Sequence, residues 1–512
     1  MSMWKKLMAM TVVAVMVMMS VSSAMACTMI YVGSDLTEDG GTYFARSEDI
    51  SNSQNKIYYV SPAGNHKAGE EYVGCYGFTY TFTKDSYGYN AVRDDNVLGV
   101  CPDCNGTHAH TPYESAGTNE MGVSITATVT LGANNEIREA DPSRREAGIE
   151  EAEITTVVLS EAATAREGLD LLLSIYDSVG ARGGSGIIIA DQTEAWYIEN
   201  CSGTQYVAMK LPSDMIFISP NMCAIGVIDL DDENIIASAD LIATAQAAGT
   251  FVGDADANII DYRASYSNTN INDRMVNGIA YLNSGLVYTT DTITNADFTI
   301  SNVKDGEMVG LYTNITADRV ITVKDMVDFY KVDSIGNTGN LEYHIFQINA
   351  NGNPATNIVE WLGMDHGKYG VMVPYYPMLT TDTYAAYQLG TEKADFVTEE
   401  PDGTAPYYPT TRRDEAGFRV LPENWADSYY WSFDALSNYL LYVDNAQEQL
   451  VLDTFAALQD EFYAGFDWAG NASSTEDAET LAAAFTQASA EMAKKAHETA
   501  VELYNTISAS EE

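Results

Sequence analysis

The chain has 512 residues, of which 73 are Asp or Glu and 26 are Lys or Arg, giving a formal net charge of −47. A field of that sign excludes nucleic acid and anionic lipid surfaces as natural partners. A hydrophobic content of 46%, with 33 tyrosines and 15 phenylalanines, excludes an intrinsically disordered chain and suits a large packed core. The length is ample for about two to four domains, and the sequence has no low-complexity tract and no fixed-period repeat.

The first 26 residues read as a secretion signal. Lys5 and Lys6 precede an apolar run from Leu7 to Val21, and Ser22-Ser23-Ala24-Met25-Ala26 supplies a small-residue cleavage site. The run is shorter than the ~20 residues that a spanning helix needs, and no later stretch is long and apolar enough to span. Cleavage after Ala26 would leave Cys27 as the first residue. An N-terminal cysteine carries its nucleophile and a general base together, because the thiol attacks and the α-amino group takes the proton. Bacterial lipoprotein signals also end at a cysteine, although they usually carry leucine where this chain has Ala24, and lipid on the thiol and amine would abolish that chemistry. Both fates of Cys27 stay open at this point, with the protein secreted, periplasmic or held at the cell surface.

Thr28-Met29-Ile30-Tyr31-Val32 and Thr42-Tyr43-Phe44-Ala45 flank a turn-rich loop at 33–41, a hairpin-like start. Arg46 and Asp49 follow at the end of the second strand. An antiparallel return brings them close to Cys27, where the guanidinium would favour a thiolate and the carboxylate would orient an amine. A surface ion pair is the plain alternative. Val123 to Val129 alternates with period two, and a helix is expected from about Ile154 to Tyr176. Ile187–Ala190 and Ala195–Glu199 form a second hairpin around Asp191-Gln192-Thr193, and Met215–Ile218 reads as a buried strand. Asn119 precedes the alternating strand and Asn221 follows the buried one. Side-chain amides at such places are good oxyanion donors, and asparagine at a strand end is also an ordinary turn residue. Residues 265–420 mix short strand-like runs with turn-prone segments and give no clear element pattern. Helices are expected around Tyr430–Tyr442, around Gln447–Phe462 and from near Ser474. In the last, Ser473 and Glu476 have capping-box spacing, and Leu481, Phe485, Ala488, Met492, Ala496 and Leu503 form one apolar stripe suited to packing on the rest of the protein.

Six cysteines raise the question of disulfides in an exported protein. Cys201 and Cys223 lie in the strand-rich region and could pair. Cys101-Pro102-Asp103-Cys104, with His108 and His110 behind it and Cys75 ahead, has the spacing of a small zinc knuckle, while an oxidised Cys-x-x-Cys is the alternative. Nothing in the nucleophile chemistry requires a metal or another cofactor.

Taken together, Cys27, Arg46-x-x-Asp49, Asn119-Glu120-x-Gly122-Val123, the Ile189 to Glu199 segment, and Asn221 before Ile225-Gly226 are similar to peptidase family C69. That family comprises dipeptidases among the N-terminal nucleophile hydrolases, related to choloylglycine hydrolase and penicillin V acylase. Trp361, Val373-Pro374-Tyr375-Tyr376-Pro377 and Tyr429-Tyr430-Trp431-Ser432-Phe433 carry the resemblance over most of residues 27–440. It implies an α+β fold, the αββα four-layer sandwich, with the nucleophile at one edge of a central antiparallel sheet. It also implies a signal peptide at 1–26, a catalytic domain at 27–425 with an insertion at 75–113, and a helical region at 426–512 packed on it. Cys27 would be the nucleophile, Arg46 and Asp49 its orienting pair, and Asn119 and Asn221 the oxyanion site. Such relatives use a further arginine near the nucleophile, which the sequence alone does not locate. The substrates implied are dipeptides or short peptides. An N-acyl amide hydrolase on the same scaffold and a lipid-anchored binding protein without catalysis are the alternatives, and the oligomeric state, a homo-oligomer included, is open.

Overall fold

The computed structural model describes residues 27–50, 55–74, 77–95, 112–129, 131–349, 353–389, 398–399, 406–407, 421–466 and 478–509. The proposed signal, Cys75, Cys101, Cys104, His108, His110 and the Ser473–Glu476 pair all lie outside these residues.

Two antiparallel sheets face each other. The six-stranded sheet runs, in spatial order, Ile216–Ser219, Thr28–Val32, Thr42–Asp49, Asn340–Ile348, Ile358–Met364 and Val373–Tyr375. The eight-stranded sheet runs Ile235–Ala237, Tyr206–Lys210, Ala195–Asn200, Ser185–Ala190, Ser124–Val129, Glu114–Asn119, Tyr89–Asp94 and Lys56–Ser61. Period-two alternation assigns the faces. In the first strand Met29 and Tyr31 point between the sheets, joining Phe44, Ile188, Tyr197, Met209 and Phe217 in one core. Ile30 and Val32 point the other way, against Met275, Ile279 and Leu282 of the helix Asp273–Leu282 and Phe329 of the helix Val323–Phe329. On the outer face of the eight-stranded sheet, Ile125, Ala127, Ile187 and Ile189 pack on Ile154, Val157, Leu169 and Leu172. The layers are therefore helix, sheet, sheet, helix, the αββα sandwich expected.

Several details depart from the sequence reading. The helix expected over 154–176 is two helices, Glu151–Glu161 and Ala165–Ser178, because Ala162 is extended and Thr164 caps the second by accepting from the Glu167 N–H. The second strand runs on to Asp49, so Arg46 and Asp49 are strand residues. The first strand lies one place in from the sheet edge, which is formed by Ile216–Ser219. The unread region 265–420 supplies two central strands and both helices behind the first strand.

The late helices are Tyr429–Tyr439, Asn445–Phe466 and Ala478–Ala509. The apolar stripe of the last one packs inward. Phe485 lies 4.9 Å from the Tyr376 ring, while Ala496 and Leu503 join the same core as Phe433 and Phe455. Among the described residues no helix is long and apolar enough to cross a membrane.

Candidate active site

Cys27 stands directly before the first strand and is 6% exposed. The register Met29↔Arg46 and Thr28↔Ser47 fixes what surrounds it. Arg46 shares the face of Met29, so it points between the sheets, and alternation puts the Cys27 side chain on the same face. Arg46 Nη2 donates to Cys27 Sγ at 3.2 Å, to Tyr113 Oη at 3.2 Å and to Glu151 Oε1 at 2.5 Å. Tyr113 Oη also donates to Glu151 Oε1 at 2.7 Å. Glu151 begins its helix directly over this end of the sheets, with the capping-box residue Glu150 before it.

Burial pushes the Cys27 thiol up. The Arg46 guanidinium pulls it down, and the Glu151, Asp49 and Glu48 carboxylates add to the rise. Glu151 is raised to about 7 by burial, against the pull of Arg46. Glu48 sits two residues beyond Arg46 on the same face. Burial alone would raise it, but Lys56 at 2.7 Å and Arg46 more than offset that and hold its carboxyl below the usual range. One cationic group on the sulfur, ringed by carboxylates of different readiness to ionise, is the kind of environment that tunes a thiol for proton exchange.

Asp49 takes the opposite face of the second strand. Asn340 Nδ2 donates to its Oδ1 at 2.7 Å, and its carboxyl is raised by burial against the pull of Arg274. Arg46 and Asp49 thus approach Cys27 from two sides of one sheet rather than as a pair. Arg274, in the first turn of the helix Asp273–Leu282, completes the outer side. Its Nη1 donates to the Cys27 carbonyl at 2.6 Å and to Thr28 Oγ1 at 3.1 Å, and its Nη2 donates to the Pro220 carbonyl at 2.9 Å. This arginine was missed in the sequence because its only local signal is the Asn272 cap ahead of it.

Asn221 is brought to the site. The antiparallel register Met29↔Ser219, continued by two residues, sets it opposite Cys27. Its φ of 56° is left-handed, a conformation asparagine tolerates better than most residues, and its Oδ1 accepts from Thr128 Oγ1 at 2.8 Å across the two sheets. Asn119 is not brought to the site. Its Nδ2 donates to the carbonyls of Leu159 and Ala162, and its Oδ1 accepts from the backbone N–H groups of Met121 and Val123. Those carbonyls lie at the far end of the helix that Glu151 begins, ~12 Å along its axis. Asn119 ties a turn to a helix end, and every hydrogen-bonding position of its amide is already occupied.

Cys201 and Cys223 are side by side and buried, with Sγ atoms 2.8 Å apart. Among the described residues no cluster of His, Cys, Asp and Glu is arranged to hold a metal ion.

Two facing antiparallel sheets between two helical layers define the class, the αββα sandwich of the Ntn-hydrolase fold. Residues 26–400 match the model of peptidase family C69, and the chain belongs to that family. It is 32% identical over 388 residues to "Probable dipeptidase B" of Streptococcus pyogenes serotype M1, covering 72% of this chain and 75% of that protein. With "Probable dipeptidase" of Salmonella dublin the identity is 31% over 265 residues, 51% of this chain and 57% of the other. A third match, to "Probable dipeptidase B" of Streptococcus pyogenes serotype M18, is 37% identical over 45% of this chain and 44% of that protein. The chain therefore spans three quarters of one relative and about half or less of the others. Among solved structures, penicillin V acylase from Agrobacterium tumefaciens aligns at 13% identity over 66% of this chain and 82% of that one, with a TM-score of 0.28. A conjugated bile acid hydrolase variant from Clostridium perfringens aligns at 11% over 66% and 89%, with a TM-score of 0.29.

Proposed function

We propose that the protein is an exported cysteine dipeptidase whose nucleophile, Cys27, becomes N-terminal when the signal is removed after Ala26. The observation that carries this reading is the contact of Arg46 Nη2 with Cys27 Sγ at 3.2 Å, on a residue directly behind a signal-like segment. The relatives described as dipeptidases support the substrate class.

In this reading the Cys27 thiol attacks the carbonyl of the scissile amide, and its proton passes to the α-amine of the same residue. The ordinary values of the α-amine and the thiol, about 7.7–8.0 and 8.5 respectively, are close enough for exchange near neutral pH, and Arg46 offsets part of the rise that burial imposes on the thiol. The developing oxyanion forms beside Asn221. The α-ammonium then protonates the leaving amine, and water cleaves the thioester with the amine again as base. Arg274 fixes the Cys27 carbonyl and Pro220 in one grip, which holds nucleophile and oxyanion side together.

The test is the mass of the exported protein with its N-terminal peptide resolved, followed by a dipeptide panel run beside N-acyl amides. A free Cys27 terminus with dipeptide turnover that Cys27→Ala abolishes is expected. A lipidated terminus, residues left ahead of Cys27, or full turnover by Cys27→Ala would overturn it.

A further inference from the structure

Asn221 sits in the turn that follows the strand Ile216–Ser219, and that turn is tied to the opposite sheet from one place. The strand Ala195–Asn200 presents Tyr197 and Glu199 to it, and Cys201, just past the strand's end, reaches the same core between the sheets. Tyr197 Oη donates to Ser219 Oγ at 3.3 Å. The Glu199 carboxylate accepts from the Ala224 N–H, and from the Ile225 N–H at 3.3 Å. Between these two ties, Cys201 Sγ lies 2.8 Å from Cys223 Sγ, two residues beyond Asn221. Arg263 Nη1 donates to the Cys223 carbonyl at 3.0 Å and steadies that side of the turn.

The structure holds both cysteines as buried thiols. Among the described residues no group of three or more metal-ligating side chains includes them. Nor does the pair suit nucleophilic work. Burial, with Cys201 and Glu199 alongside, pushes the Cys223 thiol well up, so it stays protonated near neutral pH. Two thiols in contact need only a small rotation to reach the bonded separation of about 2.05 Å. A bond made there carries no charge into the interior, and the folded protein then shields it from attack by other thiolates.

We propose that Cys201 and Cys223 form a disulfide that staples the turn carrying Asn221 to the eight-stranded sheet. Each thiol loses its hydrogen and one S–S bond forms. Two electrons and two protons pass to a disulfide oxidant of an oxidising compartment, which leaves as two thiols. The exchange takes place while the chain is still folding and its thiols can ionise. The bond itself goes beyond the peptidase reading, whereas its effect on turnover rests on that reading. Hydrogen bonds from Tyr197 and Glu199 set where the turn lies. The covalent link keeps it there, which makes the two cysteines positioning residues for Asn221.

The full-length Cys27→Ala protein is expressed with its signal into the bacterial periplasm, alkylated with iodoacetamide in urea without reductant, and digested with trypsin, which cuts at Lys210 between the two cysteines. The expected product is a Cys201–Cys223 cross-linked peptide, lighter than the two reduced peptides together by two hydrogen atoms. Iodoacetamide adducts on both cysteines, or cross-links that join either one to Cys75, Cys101 or Cys104, overturn the proposal. Turnover of Ala-Ala is then measured on the protein with Cys27 intact. Cys201→Ala and Cys223→Ala should each lower kcat about tenfold or more at unchanged KM, through displacement of the turn. The double variant should be no worse than either single one, since either change alone breaks the bond, whereas two separate packing losses would add. A cross-link with kcat unchanged in all three variants, or with additive losses, overturns the positioning role. A cross-link in a protein that turns over no dipeptide overturns the peptidase reading and leaves the bond standing.

Discussion

Replacing Arg46 by glutamine tests the electrostatics of the thiol most directly. Arg46 is fully buried, so no solvent screening reduces its effect on Cys27. At a charge separation of about 4 Å and an effective dielectric near 20, the interaction is worth about 4 kcal/mol, or roughly three pKa units. Glu151 acts oppositely. Its Oε1 is 2.5 Å from the Arg46 nitrogen that lies 3.2 Å from Sγ, so its charge is close enough to raise the thiol by about two units. Without Arg46, Glu151 is a buried carboxylate with no cation, and its pKa, already about 7, rises further. It then gives up its proton later, and part of its own upward push on Cys27 is lost. The net rise of the thiol in Arg46→Gln is therefore smaller than loss of the guanidinium alone would give. Glu151→Gln alone should lower the thiol, because the foremost of the carboxylates opposing Arg46 is then gone. The assay is the pH dependence of Cys27 alkylation by iodoacetamide, quantified on the Cys27 peptide so that the other cysteines do not enter. A thiol midpoint that falls in Arg46→Gln, or fails to fall in Glu151→Gln, would refute the reasoning.

Three further outcomes are expected. Arg274→Gln removes the grip on the Cys27 carbonyl, Thr28 and Pro220, so kcat should fall about 100-fold through misplacement of Cys27, the proposed nucleophile, read by steady-state kinetics at unchanged fold. Asn119→Ala should cost about 2 kcal/mol or more in urea unfolding, because buried carbonyls and N–H groups lose their partners, while kcat per folded molecule stays the same. Glu360 is raised to about 8 by burial while accepting from Tyr58 Oη at 2.9 Å. Its folded value exceeds its unfolded one, so between the two only the unfolded chain has lost the proton, and stability declines as pH rises through that window. Glu360→Gln should therefore flatten the decline by at least ~1.4 kcal/mol, one pKa unit's worth, in unfolding midpoints followed from pH ~4.5 to ~8.

What the sequence disclosed follows from which faces are covered and how far apart partners lie. The strands Thr28–Val32 and Ser124–Val129 alternate or are apolar enough to be read locally, and the late helix shows its stripe. Asn340–Ile348 is buried on both faces and carries Glu342, His344 and Gln347, so it shows no clean period and escaped detection. Arg46 could be placed by a hairpin argument alone. Arg274 could not, since it reaches Cys27 from 247 residues away. Asn119 shows the opposite failure. An amide at a strand end looks the same in sequence whether it faces a reaction centre or ties down a helix end, and only the accounting of its donors tells the two apart.

The first strand has a second consequence, in the order of assembly. Its two neighbours along the sheet come from residues 42–49 and from residues 216–219, and residues 42–49 in turn need residues 340–348 beside them. Pairings of such long sequence separation close slowly and late. Until they close, Cys27 is not gripped by Arg46 and Arg274 and has no Asn221 opposite it. A half-folded chain therefore carries an unremarkable cysteine, and the chemistry proposed for Cys27 is withheld until the whole sandwich has formed.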